Sequence, residues 1–390
     1  MKMARFAAML LAVMMLICTV ATGALAEDTI KVGIVGCHTG DYAQYGLAVR
    51  NGAELYFNQL NANGGINGKQ VELIIYDNRA DNAEAVNAFT RMVDEGITAL
   101  VGDVLTGNCM AVVLEAEPIN MPMITPSATA KMITYDEEED YVYKNVFRTC
   151  FIDPFQGEKM AQYAVEILGA STAAILYDTG NDYSIGLMDA FIAKGESLGL
   201  NIVAKEGYST GDVDFKSQLT NIASANPDVV FTPIYYSEGG LVISQARALG
   251  ITATFLAGDG FANISNYATA EELEGTVYCS AYAEHSSDAI IAFEDAYIAA
   301  YGPDTLNMFA ANAYDAAIVL CNALAVAEET GYEPASEEYK QAVIDAIRDN
   351  SADLDTITSY GYTFDEYNNP IKNAVMIILK DGKEVLDRIF

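Results

Sequence analysis

The chain has 390 residues, 52% of them hydrophobic, and a formal net charge of −33. That length accommodates two domains of ordinary size. So acidic a chain excludes charge-driven binding to nucleic acid or to an anionic membrane and disfavours anionic ligands, but a net-neutral zwitterion meets no such penalty.

Residues 1–26 read as a signal peptide. Lys2 and Arg5 form a basic start, Phe6 to Val20 is apolar, and Ala24-Leu25-Ala26 is a small-residue cleavage pattern. Cleavage there starts the mature chain near Glu27 and removes Lys2 and Arg5, giving −35. Export is therefore expected, to the periplasm or the outer face of the cytoplasmic membrane. Cys18 raises a lipoprotein reading, which the bulky Ile17 before it opposes. No later segment approaches the roughly 20 uninterrupted apolar residues of a membrane span. Cys37, Cys109, Cys150, Cys279 and Cys321 remain, an odd number with no C-x-x-C pair. Export permits a disulfide, but buried free thiols are the expectation.

Thr29 to Gly36 predicts a first strand, with Ile30, Val32 and Ile34 on one face. A helix follows, striped by Val49, Ala53, Tyr56 and Leu60, and Asn63-Gly64-Gly65 ends it. Val71, Leu73 and Ile75 alternate as strand two; Ala85, Phe89 and Met92 mark a helix; Ile97 to Val101 is strand three. Gly102 stops that strand, a helix is expected from about Gly107 to Glu117, and Met123-Ile124 forms the next strand. Thr125-Pro126-Ser127-Ala128-Thr129 then reads as a turn opening another helix. Two helix N-termini are thus expected at strand ends, near Thr106 and Ser127. Free backbone N–H groups and neighbouring hydroxyls there suit a small carboxylate, although helix capping explains the same residues.

The acidic run Tyr135 to Asp140 is expected to be a solvated loop. Beyond it the alternation resumes. Strands are expected at Tyr143 to Thr149, Thr172 to Tyr177, Asn201 to Tyr208, Val229 to Pro233 and Thr254 to Leu256. The helices between them are Lys159 to Leu168, Gly186 to Leu198, Phe215 to Ser224 and Gly239 to Leu249. From Asp288 the pattern is helical, at Ile290 to Tyr301, Phe309 to Glu329 and Glu337 to Asn350. A hairpin around Asp381-Gly382 closes the chain. Strand–helix alternation of this kind predicts an α/β fold of two doubly wound parallel-sheet lobes.

Such sheets bind ligands outside the carboxyl ends of their strands. In the first half those ends carry Cys37, His38, Tyr45, Val104, Leu105, Thr106, Ser127 and Thr129. In the second they carry Asp178, Tyr183, Tyr235, Glu238 and Asp259. Hydroxyl donors on one side, and a carboxylate with two phenols on the other, match the carboxylate and ammonium of an α-amino acid.

In order along the chain stand Lys31-Val32-Gly33-Ile34-Val35-Gly36, Ala43-Gln44-Tyr45-Gly46, Asn63-Gly64-Gly65-Ile66-Asn67-Gly68 and Tyr76-Asp77-Asn78. Ile124 to Thr129, Gln245-Ala246-Arg247-Ala248-Leu249-Gly250 and Gly258-Asp259-Gly260 complete the set. With these motifs the chain, from about Ile30 onward, resembles the leucine/isoleucine/valine-binding proteins of branched-chain amino-acid ABC transporters, type I solute-binding proteins. The resemblance implies a type I periplasmic-binding-protein fold with three crossovers, near Arg148 to Phe151, Ala281 to Ala283 and Tyr360 to Phe364. Lobe 1 would then comprise 27–150 with 283–362, and lobe 2 would comprise 151–282 with 363–390. It implies that Thr106, Ser127 and Thr129 take the ligand carboxylate. Tyr183, Tyr235 and Asp259 would take the ammonium, and Tyr45, Val104, Leu105 and Phe309 the side chain. It further implies a membrane permease as partner, a monomer, no cofactor and no nucleic acid. Gly107-Asn108, His38 and a missing aromatic after Phe309 depart from the family pattern and bear on side-chain choice.

Catalysis is not expected. His38 and His285 are the two histidines, and no metal-spaced cluster, G-x-S-x-G elbow or P-loop is present. The alternatives are a protein of the same fold for another amino acid, urea or a short amide, or a ligand-sensing subunit. Urea and amides lack the ammonium that a buried Asp259 calls for.

Overall fold

A computed structural model describes residues 29–359 and 361–390. The expected signal peptide, Cys18 and the crossover residue Tyr360 lie outside the described residues. The first half runs β1 (Ile30–Gly36), α1 (Ala43–Ala62), β2 (Val71–Asp77), α2 (Asn82–Asp94) and β3 (Ala99–Val101). It continues through α3 (Thr106–Ala116), β4 (Met123–Thr125), the two-stranded β5 (Tyr135–Asp136) and β6 (Tyr141–Val142), and β7 (Val146–Arg148). The second half begins with α4 (Asp153–Gln162), β8 (Thr172–Asp178), α5 (Asp182–Ser197), β9 (Asn201–Tyr208) and α6 (Lys216–Ala225). Then follow β10 (Val229–Phe231), α7 (Tyr236–Ala248), β11 (Thr254–Ala257), α8 (Ala270–Leu273) and β12 (Val277–Ser280). Helices α9 (Asp288–Tyr301), α10 (Met308–Glu329) and α11 (Glu337–Asn350) precede β13 (Val375–Lys380) and β14 (Lys383–Ile389).

The strands form two large sheets, one for each lobe. The first has the order β2-β1-β3-β4-β7 and is parallel throughout. The second has the order β14-β13-β12-β11-β10-β8-β9. Central strands such as β1 and β8 are apolar runs buried on both faces, as helices on both sides of a parallel sheet require. Strand order reverses between β1 and β3 in one sheet and between β8 and β10 in the other. Open α/β sheets offer a crevice at such points. Helix α10 returns to the first lobe and packs on α1, β3 and β4. The approach to α1 needs a glycine: a Cβ on Gly52 would fall 2.1 Å from the Ala310 carbonyl oxygen.

Several details differ from the sequence reading. Strand β12 was not anticipated, and the second sheet is mixed, because β13 and β14 join it antiparallel. The hairpin turns through positive φ at Asp381 (51°) and Gly382 (75°), the geometry an Asp-Gly pair supplies. No helix opens at Ser127 to Thr129; a single 3-10 turn follows at Lys131–Ile133. There the Thr125 hydroxyl accepts the Ser127 and Ala128 N–H groups, and the Arg148 guanidinium donates to the Ala128 and Ala130 carbonyls, diverting the bonds a helix would use. Helix α4 starts at Asp153, earlier than Lys159, because Pro154 suits a first helical turn. Finally, α10 is long and apolar enough by composition to cross a membrane, yet 78% of its most apolar window is buried inside the protein.

The five described cysteines, Cys37, Cys109, Cys150, Cys279 and Cys321, are free and buried. The acidic run around Glu138 lies on the exposed β5–β6 hairpin.

Candidate functional site

The loops after β3 and β4 are built as one unit. Asp103, fully buried, accepts the Asn78 side-chain amide at 2.6 Å and its neighbour's backbone N–H at Val104. Burial pushes its carboxyl up to about 7. The Asp103 carbonyl accepts the Thr125 hydroxyl at 2.8 Å, and the Val104 carbonyl accepts the Ser127 hydroxyl at 2.9 Å. The segment carrying Val104, Leu105 and Thr106 is thereby tied to the segment carrying Ser127 and Thr129. Helix α3 then opens at Thr106 with Leu105 as its N-cap and no side-chain cap. Its first N–H groups keep their donor capacity, and its positive dipole end faces the same space. By contrast Asp81 and Asn307 cap α2 and α10 with their own side chains.

The second lobe supplies the opposite polarity. The Asn181 side chain caps α5 and so places Tyr183 in the first turn. Tyr235 is the N-cap of α7, and its ring stacks on Tyr183 at 5.0 Å between centroids, 16° from parallel. Asp259 begins a 3-10 turn after β11. Its backbone N–H donates to Gln156 Oε1 at 2.8 Å, and the Gly260 N–H donates to the Tyr183 phenol at 2.9 Å. Gly258 and Gly260 leave room for that phenol, since a Cβ on either would come within 2.8 Å of its oxygen. The Asp259 side chain is 2% exposed, and its Oδ2 has no hydrogen-bond partner among the described residues. Burial pushes this carboxyl up to about 7, against the hydrogen bonds that lower it.

The two lobes meet around this point. Tyr45, from α1, donates its hydroxyl to the Gly260 carbonyl at 2.5 Å and accepts the Tyr236 N–H at 3.2 Å. Its ring stands edge-on to Phe309 at 5.0 Å and to Tyr235 at 5.7 Å. The Asp153 N–H donates to the Thr129 carbonyl at 3.0 Å. Between the lobes lies a small cavity lined by Tyr45, Val104, Leu105, Thr106, Ser127, Thr129, Tyr183, Tyr235, Asp259, Gly260 and Phe309. Every residue singled out from the sequence for ligand contact is on that wall. No Lys, Arg or His lines the cavity. An anion lacking a cationic group would thus meet a buried carboxyl with no neutralising side chain.

Some readings shift. The Ser127 hydroxyl is engaged with Val104, so its hydrogen is committed inside the protein. His38 does not line the cavity; it is buried with Nε2 unpartnered, and desolvation lowers it to about 4, leaving the ring neutral. Asn108 faces Asn82 at 2.8 Å. His285 pairs with Glu294. Among the described residues no group of His, Cys, Asp and Glu could hold a metal ion.

Sequence reasoning missed Gly260, Gln156 and Asp153. Asp153 is fully buried, neither carboxylate oxygen has a well-aligned hydrogen-bond partner, and burial raises its carboxyl well above the usual range. Its signal was the Asp153-Pro154 pair, a helix start, lost when the helix was begun at Lys159.

The profile of the family described as "Periplasmic binding protein" matches residues 29–383. The chain is 32% identical over 337 residues to a leucine-, isoleucine-, valine-, threonine- and alanine-binding protein of Pseudomonas aeruginosa, covering 86% of each. It is 33% identical over 354 residues to the Leu/Ile/Val-binding protein BraC3 of Rhizobium johnstonii, covering 90% of this chain and 92% of that one. Among solved structures, the leucine-binding protein LivK of Thermotoga maritima superposes with a TM-score of 0.83 at 30% identity, covering 93% of this chain and 99% of that one. The LivJ protein of Streptococcus pneumoniae, solved with isoleucine, gives 0.82 at 31% identity with the same coverage.

Proposed function

The chain belongs to the periplasmic-binding-protein family, and from that premise we propose that it captures an aliphatic L-amino acid, leucine, isoleucine or valine, between its lobes. The observation that carries this reading is the polarity of the cavity. On one wall stand the uncapped α3 N-terminus and the Thr106 and Thr129 hydroxyls, and on the other stands Asp259, buried and with an unpartnered oxygen. The first wall suits a carboxylate, the second an ammonium, and Val104, Leu105, Tyr45 and Phe309 surround an apolar side chain. The ammonium would draw a cation–π contribution from the stacked Tyr183 and Tyr235.

In this reading the lobes comprise 27–150 with 283–362 and 151–282 with 363–390, and the ligand bridges them. The protein acts outside the cytoplasmic membrane as a monomer, performs no catalysis, and delivers its ligand to the permease of an ABC transporter. Relatives named for Leu/Ile/Val binding support it, as does a neighbour solved with isoleucine. Calorimetric titration of the purified chain with the common amino acids is the test. Binding of leucine, isoleucine or valine is expected; tight binding of glutamate or urea without binding of leucine would overturn the reading.

A further inference from the structure

The first turn of α1 reaches across to the first turn of α7 at a point outside the ligand cavity. There the Tyr42 hydroxyl donates to Glu238 Oε1 at 2.6 Å, joining residues 196 positions apart on opposite lobes. Neither residue lines the cavity. Glu238 is 8% exposed, and the described donors to its carboxylate are Tyr42 and the neighbouring Ser237 hydroxyl. The Tyr42 ring stands edge-on to Tyr235, with centroids 5.2 Å apart. Two residues further along, the Gln44 N–H donates to the Tyr236 hydroxyl at 3.1 Å.

Glu238 and Ser237 belong to α7 in the second lobe, whereas Tyr42 caps α1 in the first. The contact between the lobes thus holds a carboxylate out of water and supplies it one donor from across the cleft. A buried carboxylate that loses such a partner keeps the desolvation cost without the compensating bond. We propose that Tyr42 and Glu238 form a latch across the cleft edge that sets how long a bound ligand stays, without touching it. They are positioning residues for the closed state, and the latch rests on the ligand reading given above. Burial and the adjacent Glu238 carboxylate hold the Tyr42 phenol well above its ordinary range, so it remains a donor throughout physiological pH.

The test uses the full mature chain and Tyr42→Phe, Glu238→Gln and the double variant. Affinity is read by calorimetry, and release by chasing bound radiolabelled leucine with unlabelled leucine. Tyr42→Phe is expected to speed release by about ten- to a hundredfold, the scale of a lost hydrogen bond to a charged group. Its association rate, obtained from the two measurements, should stay within about threefold, because the bond forms after encounter. Its melting temperature without ligand should match the wild type. In the Glu238→Gln background, where no charge is left stranded, the effect of Tyr42→Phe should shrink to a few-fold, and that coupling separates a latch from unrelated damage. Unchanged release in Tyr42→Phe, or an equal effect in both backgrounds, overturns the latch while leaving the ligand reading in place. A wild-type chain that binds no branched-chain amino acid overturns the reading, and the latch with it.

Discussion

The Tyr45 hydroxyl donates to the carbonyl of Gly260 at 2.5 Å, from the first helix of one lobe to the residue following Asp259 in the other. The same oxygen accepts the Tyr236 N–H at 3.2 Å. Tyr45 is thus both a wall of the cavity and a clasp on the turn that presents Asp259. Tyr45→Phe keeps the wall and removes both bonds. It should weaken leucine binding by about 1–3 kcal/mol in calorimetry, the cost of leaving buried partners unsatisfied, and leave the choice among leucine, isoleucine and valine unaltered.

Asp259→Asn separates binding from stability. A carboxyl raised in the folded protein from 3.8 to about 7 favours folding fully below its unfolded value, and that contribution is lost as the pH rises through about 7. Removing the charge should therefore raise the ligand-free melting temperature at about pH 7.5 and leave it nearly unchanged at about pH 4. Leucine affinity should fall by roughly 2–5 kcal/mol, as when one partner of a buried charge pair is truncated. A variant that keeps wild-type affinity would remove Asp259 from the ammonium site.

The same carboxyl makes binding depend on pH. Leucine's ammonium pairs with the ionised form, so protons compete with the ligand below about 7. Affinity should be level above about pH 8 and fall by up to about tenfold per unit as the pH drops toward 5.5. A calorimetric series across that range checks it, and a flat profile would contradict it.

Ser127→Ala should be mild. Its hydroxyl bonds the Val104 carbonyl, so the substitution loses one internal hydrogen bond and costs about 1 kcal/mol in leucine affinity by calorimetry. Complete loss of binding by a folded Ser127→Ala protein would show that the hydroxyl itself grips the ligand.

Much of the fold was legible because its signals are local. Asn201–Tyr208 and Glu337–Asn350 stand where periodicity put them, and the Asp381-Gly382 turn joins the strands expected on either side. Strand β12 was not legible, because four residues between loops carry no period. The absent helix at Ser127 to Thr129 was settled by tertiary partners: Arg148, in another strand, takes the carbonyls that a helix would use. The ten residues gathered around the cavity were reached through strand ends and family motifs. Asp153 was missed because its importance lies in burial beside Asp259, which spacing along the chain does not encode.

The central claim is that a single zwitterion, held by its carboxylate on one lobe and its ammonium on the other, fits this cavity. Parallel calorimetric titrations with leucine, leucinamide and 4-methylpentanoate test it most directly, because the two analogues lack the carboxylate and the ammonium in turn. Leucine should bind, and each analogue should bind at least about a hundredfold more weakly, the scale of a lost charged partner. Binding of 4-methylpentanoate as tight as that of leucine would contradict the account.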